Sequence, residues 1–178
     1  MTGRTKIIDK ILAAELKMFL SVAAQGSNRC LACPQAFKLH RKAQFSIFST
    51  KTLESYLEDL KSALGSGRNL MTHKYARMDN LIPREHNSPL VDKLAEIMTS
   101  WQLQLARKYP DLMKRAHPIL SEQDGLQTTS FETYLRAELE TYSENTLHLL
   151  YRDVEKLLDE GKNGSEEVYR YLVKEKMV

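Results

Sequence analysis

The sequence has little of what would tie it to a metal, a disulfide framework or a nucleic acid. Its 178 residues include 2 Cys, 5 Pro and 7 Gly, and the formal net charge is +3. A chain of this length and average apolar content buries an ordinary core without disulfides or metal. Because the charge is small and acids and bases are interleaved, we expect no nucleic-acid partner.

Long apolar runs and strand-like patterns are also missing. The first six residues lead directly into an amphipathic pattern, without the apolar core of a signal peptide or a run long enough to span a bilayer. No segment shows the period-two alternation of a half-buried strand. We therefore expect a cytoplasmic, all-α chain with no membrane partner, forming one helical domain over residues 1–178.

The two cysteines stand three residues apart and resemble half of a zinc site. No second cysteine pair and no His-x-x-x-His pattern accompanies Cys30 and Cys33. No β-α-β pattern surrounds them, which argues against a thioredoxin-type redox pair. The Glu-x-x-His motif of di-metal bundles is absent from the sequence as well. We predict no bound metal and no cofactor.

The sequence does contain an internal repeat. Residues 37–75 align without a gap with residues 131–169, so that Ser49 falls on Ser143, Gly67 on Gly161 and Asn69 on Asn163. An internal repeat indicates a structural unit that is used twice. We predict a compact helical bundle of about eight helices, built from two similar units at about 5–79 and 88–178 and related by a pseudo-two-fold axis.

Caps, apolar spacing and stop signals divide each unit into helices. For the first unit we predict helices over about 5–25, 34–48, 50–64 and 69–78. For the second unit we predict helices over about 89–109, 129–142, 143–160 and 163–178, with a short one over 111–116. The spacing of Thr129 and Glu132 predicts a capping box at the start of the helix over 129–142. The sequence also allows this helix to run without a break into the helix over 143–160.

Polar residues on apolar helix faces are the candidates for function. Glu15 lies inside the apolar stripe of the first helix, Arg41 and Gln44 lie on the aromatic face of the second, and Lys74 lies within the apolar side of the fourth. For Glu15 two interpretations stay open, a core carboxylate paired with an arginine or a stripe rotated so that Leu16 and Leu20 do the packing. Arg41 alone is more often a packing residue whose head reaches water.

The repeat places Glu138 at the position equivalent to Gln44. Packing about a pseudo-two-fold axis would bring these two residues together, with Glu15, Arg41 and Lys74 as neighbours. Aromatic residues would surround them, namely Phe37, Phe48, Tyr134 and Tyr142. Because a buried charge is costly unless it is paired, these groups must pair with one another or bind a ligand.

Three runs of sequence resemble one family. They are residues 54–60, residues 67–70 with 74–78, and residues 129–136. In these runs the chain is similar to an uncharacterised bacterial family of all-helical domains of unknown function, and the resemblance covers most of its length. The resemblance implies a common helical fold and no established reaction. His73 stands where the family pattern leads us to expect an acid.

Two hypotheses of function follow. The first is a cofactor-independent enzyme acting on an anionic or amino-acid-like small molecule. In it Glu138 or Glu15, with a pKa raised by burial, is the general acid or base, and the substrate is held by Arg41, Gln44, Lys74, Tyr134 and Tyr142. The second is a non-catalytic ligand-sensing or protein-interaction module, in which the interior polar residues form a satisfied network. The sequence does not indicate an oligomeric state.

Overall fold

The computed structural model describes residues 3–24, 34–84, 87–113, 117–125 and 128–176. The helices in these residues are α1 (Gly3–Ala24), α2 (Pro34–Gln44), α3 (Thr50–Gly65), α4 (Leu70–Met78), α5 (Pro89–Lys108), α6 (Pro110–Met113), α7 (Phe131–Leu139), α8 (Glu144–Asp159) and α9 (Gly164–Lys176). Phe45–Ile47 and Ser121–Gln123 form turns of 3-10 helix. No β-strand occurs in the described ranges, so the predicted compact all-α fold is confirmed.

The start and stop signals that define the repeat act as expected. The Asn69 side chain accepts hydrogen bonds from the backbone N–H groups of Met71 and Thr72, which caps α4. Gly67 and Gly161, which follow α3 and α8, have φ angles of +70° and +63°. Glycine adopts this left-handed conformation without the steric cost that a Cβ would add.

Two details of the helix prediction are wrong. The helix predicted over 34–48 ends at Gln44, and a 3-10 turn follows it. α7 is capped by Ser130, whose Oγ accepts from the backbone N–H of Thr133, so Thr129 does not form the predicted capping box. The carboxylate of Glu132 instead accepts from the backbone N–H of Ser121.

α7 and α8 are separate helices. Ser143 lies between them in an extended conformation, and its side chain accepts from the backbone N–H of Thr146 to cap α8. Predictions that concern Gln25, Cys30 and Cys33, and the ends of the helices predicted over 111–116 and 163–178, fall on residues outside the described ranges.

The helices pack in two matching groups. α1 packs against α2, α3 and α4, while α5 packs against α7, α8 and α9. Three contacts join the two groups: α3 packs against α8, α4 against α7, and α2 against α9. This is the set of contacts that a pseudo-two-fold pairing of the units would produce. The duplication itself stays a prediction.

The contact between α3 and α8 is reciprocal. Asp153 Oδ2 accepts from the backbone N–H of Ser49 at 2.7 Å and from Thr52 Oγ1 at 2.5 Å. Asp59 Oδ2 does the same at the start of α8, accepting from the backbone N–H of Ser143 at 3.0 Å and from Thr146 Oγ1 at 2.6 Å. Each helix therefore supplies a carboxylate to the N-terminus of the other, where the helix dipole favours negative charge.

The core is built from apolar side chains of both groups. Its most deeply buried members include Ile11, Phe45, Leu53, Leu60, Leu94, Leu139, Leu147 and Leu150. Glu15 is fully buried among them, whereas Leu20 is 41% exposed, so the stripe of α1 is not rotated as one interpretation allowed. None of the described helices is long and apolar enough to cross a bilayer.

Candidate functional site

Arg41 is the centre of a buried ion network. Its Nε donates to Glu15 Oε2 at 2.9 Å and its Nη2 donates to Glu15 Oε1 at 2.5 Å, a two-point pairing of guanidinium with carboxylate. The remaining Nη1 donates to Glu138 Oε1 at 2.7 Å and to Gln44 Oε1. One guanidinium therefore bridges an acid of the first unit and an acid of the second.

Lys74 is the second cation of the network. Its Nζ donates to Glu138 Oε2 at 3.0 Å and to Tyr134 Oη at 2.6 Å. The same nitrogen lies 3.8 Å from the centroid of the Tyr134 ring, within the range of a cation–π interaction. Each oxygen of the Glu138 carboxylate thus faces a different cation.

Two buried tyrosines complete the network. Tyr56 Oη donates to Glu15 Oε1 at 2.7 Å, and Tyr142 Oη donates to Glu138 Oε1 at 2.8 Å. Their rings are in contact, with centroids 4.7 Å apart. Tyr56 was not among the predicted site residues, because it occupies an apolar position of α3. The signal for it was its hydroxyl group, since a buried tyrosine usually has a hydrogen-bond partner.

The network is closed as well as buried. The exposed fractions of Glu15, Arg41, Lys74 and Glu138 are 0%, 3%, 3% and 9%. Two acids and two bases give a formal charge of zero, and each ion contacts at least one ion of opposite sign. Mutual pairing of this kind offsets the cost of removing the charges from water.

The pKa of Glu138 is lowered on balance and not raised, so that part of the enzyme hypothesis is wrong. Burial disfavours the charged carboxylate, but the positive charges of Arg41 and Lys74 outweigh it, with further help from the hydrogen bonds of Arg41 and Tyr142. Together they hold the pKa of Glu138 well below its usual range. Glu138 is therefore a carboxylate at neutral pH.

The two cations and the two buried tyrosines, Tyr56 and Tyr142, also keep their ordinary protonation states. Burial alone would lower the pKa of Lys74, but the charge of Glu138 reverses this and raises it. The pKa of Arg41 is raised in the same way, chiefly by Glu138 and Glu15. Burial and the neighbouring carboxylates raise the pKa of Tyr56 and of Tyr142, so both phenols stay hydrogen-bond donors.

All seven predicted site residues meet in this network, namely Glu15, Arg41, Gln44, Lys74, Tyr134, Glu138 and Tyr142. The aromatic surroundings differ from the prediction in one respect. Phe45 lies under the Arg41 guanidinium, with Cζ 4.8 Å from the ring centroid, whereas Phe37 stacks on Phe19 at 5.1 Å. Among the residues that the structure describes, no group of three or more His, Cys, Asp or Glu is placed to hold a metal ion.

Comparison with known proteins identifies the family. The family model described as "Protein of unknown function (DUF4125)" matches residues 5–176, which is nearly the whole chain. The chain therefore belongs to this family. No curated protein and no solved structure matches the chain.

Proposed function

We propose that this member of the DUF4125 family is a non-catalytic binding module, in which the ion network is structural and the function lies on the surface. The observation that supports the proposal is the complete mutual pairing of the four interior ions, Glu15, Arg41, Lys74 and Glu138. A substrate-binding site contains polar groups that have no partner within the protein, whereas a network in which every group is paired makes the core rigid.

A structural role also accounts for the different residues at two equivalent positions. α4 meets α7 where Lys74 pairs with Glu138, and α9 meets α2 at the equivalent crossing. In the predicted repeat, Val168 corresponds to Lys74 and Gln44 corresponds to Glu138. If two copies of the first unit were to pair, Lys74 would face Gln44 without its carboxylate. The charges thus favour pairing of the first unit with the second. Buried polar groups determine the choice of partner in coiled coils in the same way.

The enzyme hypothesis is the second candidate, and one observation favours it. The side chain of Glu138 is 12% exposed, compared with 0% for Glu15, 4% for Arg41 and 3% for Lys74. An anionic or amino-acid-like substrate would approach the network from this side. However, a carboxylate whose pKa is held so low is a weak general base at neutral pH.

The stability of the Glu138→Gln variant tests the proposal. In a structural network the change leaves Lys74 without its carboxylate, so the variant should melt at a much lower temperature than the wild type. Lys74→Met in the same chain should then recover most of the loss, because no unpaired cation remains. A small loss in the single variant, with no recovery in the double variant, would contradict the structural role.

A further inference from the structure

A surface groove lies between α9 and the junction of α5 with α6. Its volume is about 520 Å³, within the range of roughly 300 to 1,000 Å³ typical of small-molecule sites. Tyr169, Arg170, Val173 and Lys174 line it from α9. Tyr169 and Val173 are four residues apart, as are Arg170 and Lys174, so the two pairs form neighbouring rows on one side of that helix.

The floor of the groove is apolar and aromatic. Tyr109 and Val173 both line it, and each is 37% exposed although both are large apolar residues. The rings of Tyr109 and Tyr169 lie with their centroids 6.1 Å apart and their planes inclined by 35°. Two adjacent, partly exposed rings offer a stacking surface for a planar molecule.

Positive side chains outnumber negative ones around this floor. Lys108, Arg170 and Lys174 line the groove with Glu166 and Asp111 as acids, and Arg170 also forms a surface ion pair with Glu167 at 3.0 Å. Lys108 pairs with Glu166, which also accepts from Tyr109 Oη at 3.3 Å, so these three side chains hold one another in place. The pairing is at the surface, where an ion pair contributes little to stability and an incoming anion competes with it at low cost.

The repeated fold does not require these residues. If the offset of 94 residues is continued beyond the aligned stretch, which ends at Tyr169, then Arg170, Val173 and Lys174 correspond to Ala76, Asp79 and Asn80. In the first unit α4 has Ala76 in place of the arginine and ends at Met78, before the positions that correspond to Val173 and Lys174. The composition of the groove is therefore a property of the second unit alone.

We infer that the groove binds a small planar aromatic anion, whose ring stacks on Tyr109 and Tyr169 and whose carboxylate or sulfonate contacts Arg170 and Lys174. This inference rests on the proposed function, because it supplies the ligand of a non-catalytic module. The aromatic floor selects for the ring, and the excess of cations selects for the negative charge.

The probe for the test is 8-anilinonaphthalene-1-sulfonate, a fluorescent aromatic sulfonate, titrated into the folded full-length chain. We expect saturable binding at one site. Arg170→Glu/Lys174→Glu should weaken the Kd at least tenfold, as should Tyr109→Leu, which removes the ring but keeps an apolar side chain. The matched control is Lys51→Glu/Lys61→Glu, which changes the net charge equally on exposed positions of α3 and should leave the Kd unchanged.

Two results would overturn the inference. One is the lack of saturable binding to the wild type, and the other is an equal loss of binding in both charge-reversed variants, which would indicate a general charge effect. Melting curves of every variant establish that the probe meets folded protein. Failure here would leave the stability of Glu138→Gln unaffected, so the two proposals can fail separately.

Discussion

Replacing Glu138 by Gln should destabilise the fold far more than the loss of a surface charge does. The carboxylate accepts from Lys74 Nζ at 3.0 Å and from Arg41 Nη1 at 2.7 Å. In the variant Arg41 retains Glu15, but Lys74 has no carboxylate partner and keeps only uncharged ones such as Tyr134. The interior charge changes from zero to +1, and the unpaired charge is that of Lys74, whose side chain is 3% exposed.

The size of the effect follows from this burial. Removing one partner of a buried ion pair costs about 3 to 5 kcal/mol, because it leaves the other charge uncompensated. In a chain of this size a loss of about 1 kcal/mol lowers the Tm by roughly 2 to 4 °C. We therefore expect Glu138→Gln to lower the Tm by roughly 6 to 20 °C. Differential scanning calorimetry at neutral pH, with urea unfolding as a second measurement, would show this.

Two further variants decide what the loss means. Lys74→Met keeps the length of the side chain without its charge, so Lys74→Met/Glu138→Gln should unfold within about 2 kcal/mol of the wild type. Glu160→Gln is the control at an exposed ion pair with Lys162 and should not shift the Tm measurably. If Glu138→Gln loses only about 1 kcal/mol, as a mismatched hydrogen bond would, the structural role is refuted.

Three other predictions follow. Because the pKa of Glu138 is lower in the folded than in the unfolded chain, its contribution is complete above about pH 5 and is lost as the pH falls. Acid unfolding should therefore be steeper in the wild type than in the doubly neutral variant, and identical curves would contradict this. Asp59→Ala and Asp153→Ala should each cost about 1 to 2 kcal/mol in urea unfolding, and clearly unequal losses would argue against the reciprocal contact. Gly164→Ala would place a Cβ 2.4 Å from Trp101 Cζ3 and should cost about 1 to 3 kcal/mol. Trp101→Leu should absorb part of that cost in the double variant, and strict additivity would contradict the clash.

The sequence was sufficient to predict the fold class and the meeting of the site residues. Helix ends follow from local chemistry, so a single sequence is enough to recognise a cap such as Asn69 or a stop such as Gly161. The alignment of Gln44 with Glu138 then predicted which distant residues approach one another. In the structure both bind the same nitrogen of Arg41, although they lie 94 residues apart in the sequence.

The sequence was not sufficient to predict the electrostatic state of that site. A glutamate on an apolar face has a raised pKa if it is alone and a lowered pKa if cations surround it. The difference depends on distances of a few ångströms between α4 and α7, which helical periodicity does not contain. The contribution of Tyr56 was missed for a similar reason, since only the position of Glu15 distinguishes its hydroxyl from that of any other core tyrosine.

The local misses arise where a tertiary contact competes with a sequence signal. Thr129 and Glu132 fit the capping-box pattern, but the Glu132 carboxylate binds the backbone of the preceding 3-10 turn. Ser130 therefore caps α7 one residue later than the pattern predicts. The break between α7 and α8 coincides with the Ser143 backbone N–H, which donates to Asp59 on α3. A single helix through this point would have no free N–H for that bond.

A titration of the individual carboxyl groups by carbon-13 NMR tests the closed network most directly. We expect the Glu138 carboxyl signal to remain that of a carboxylate at pH values where a glutamate in an unfolded peptide is already half protonated. That result would show that Arg41 and Lys74 stabilise the negative charge of Glu138. Protonation of Glu138 at or above the pH at which a glutamate in an unfolded peptide titrates would contradict the network and restore the general acid or base hypothesis.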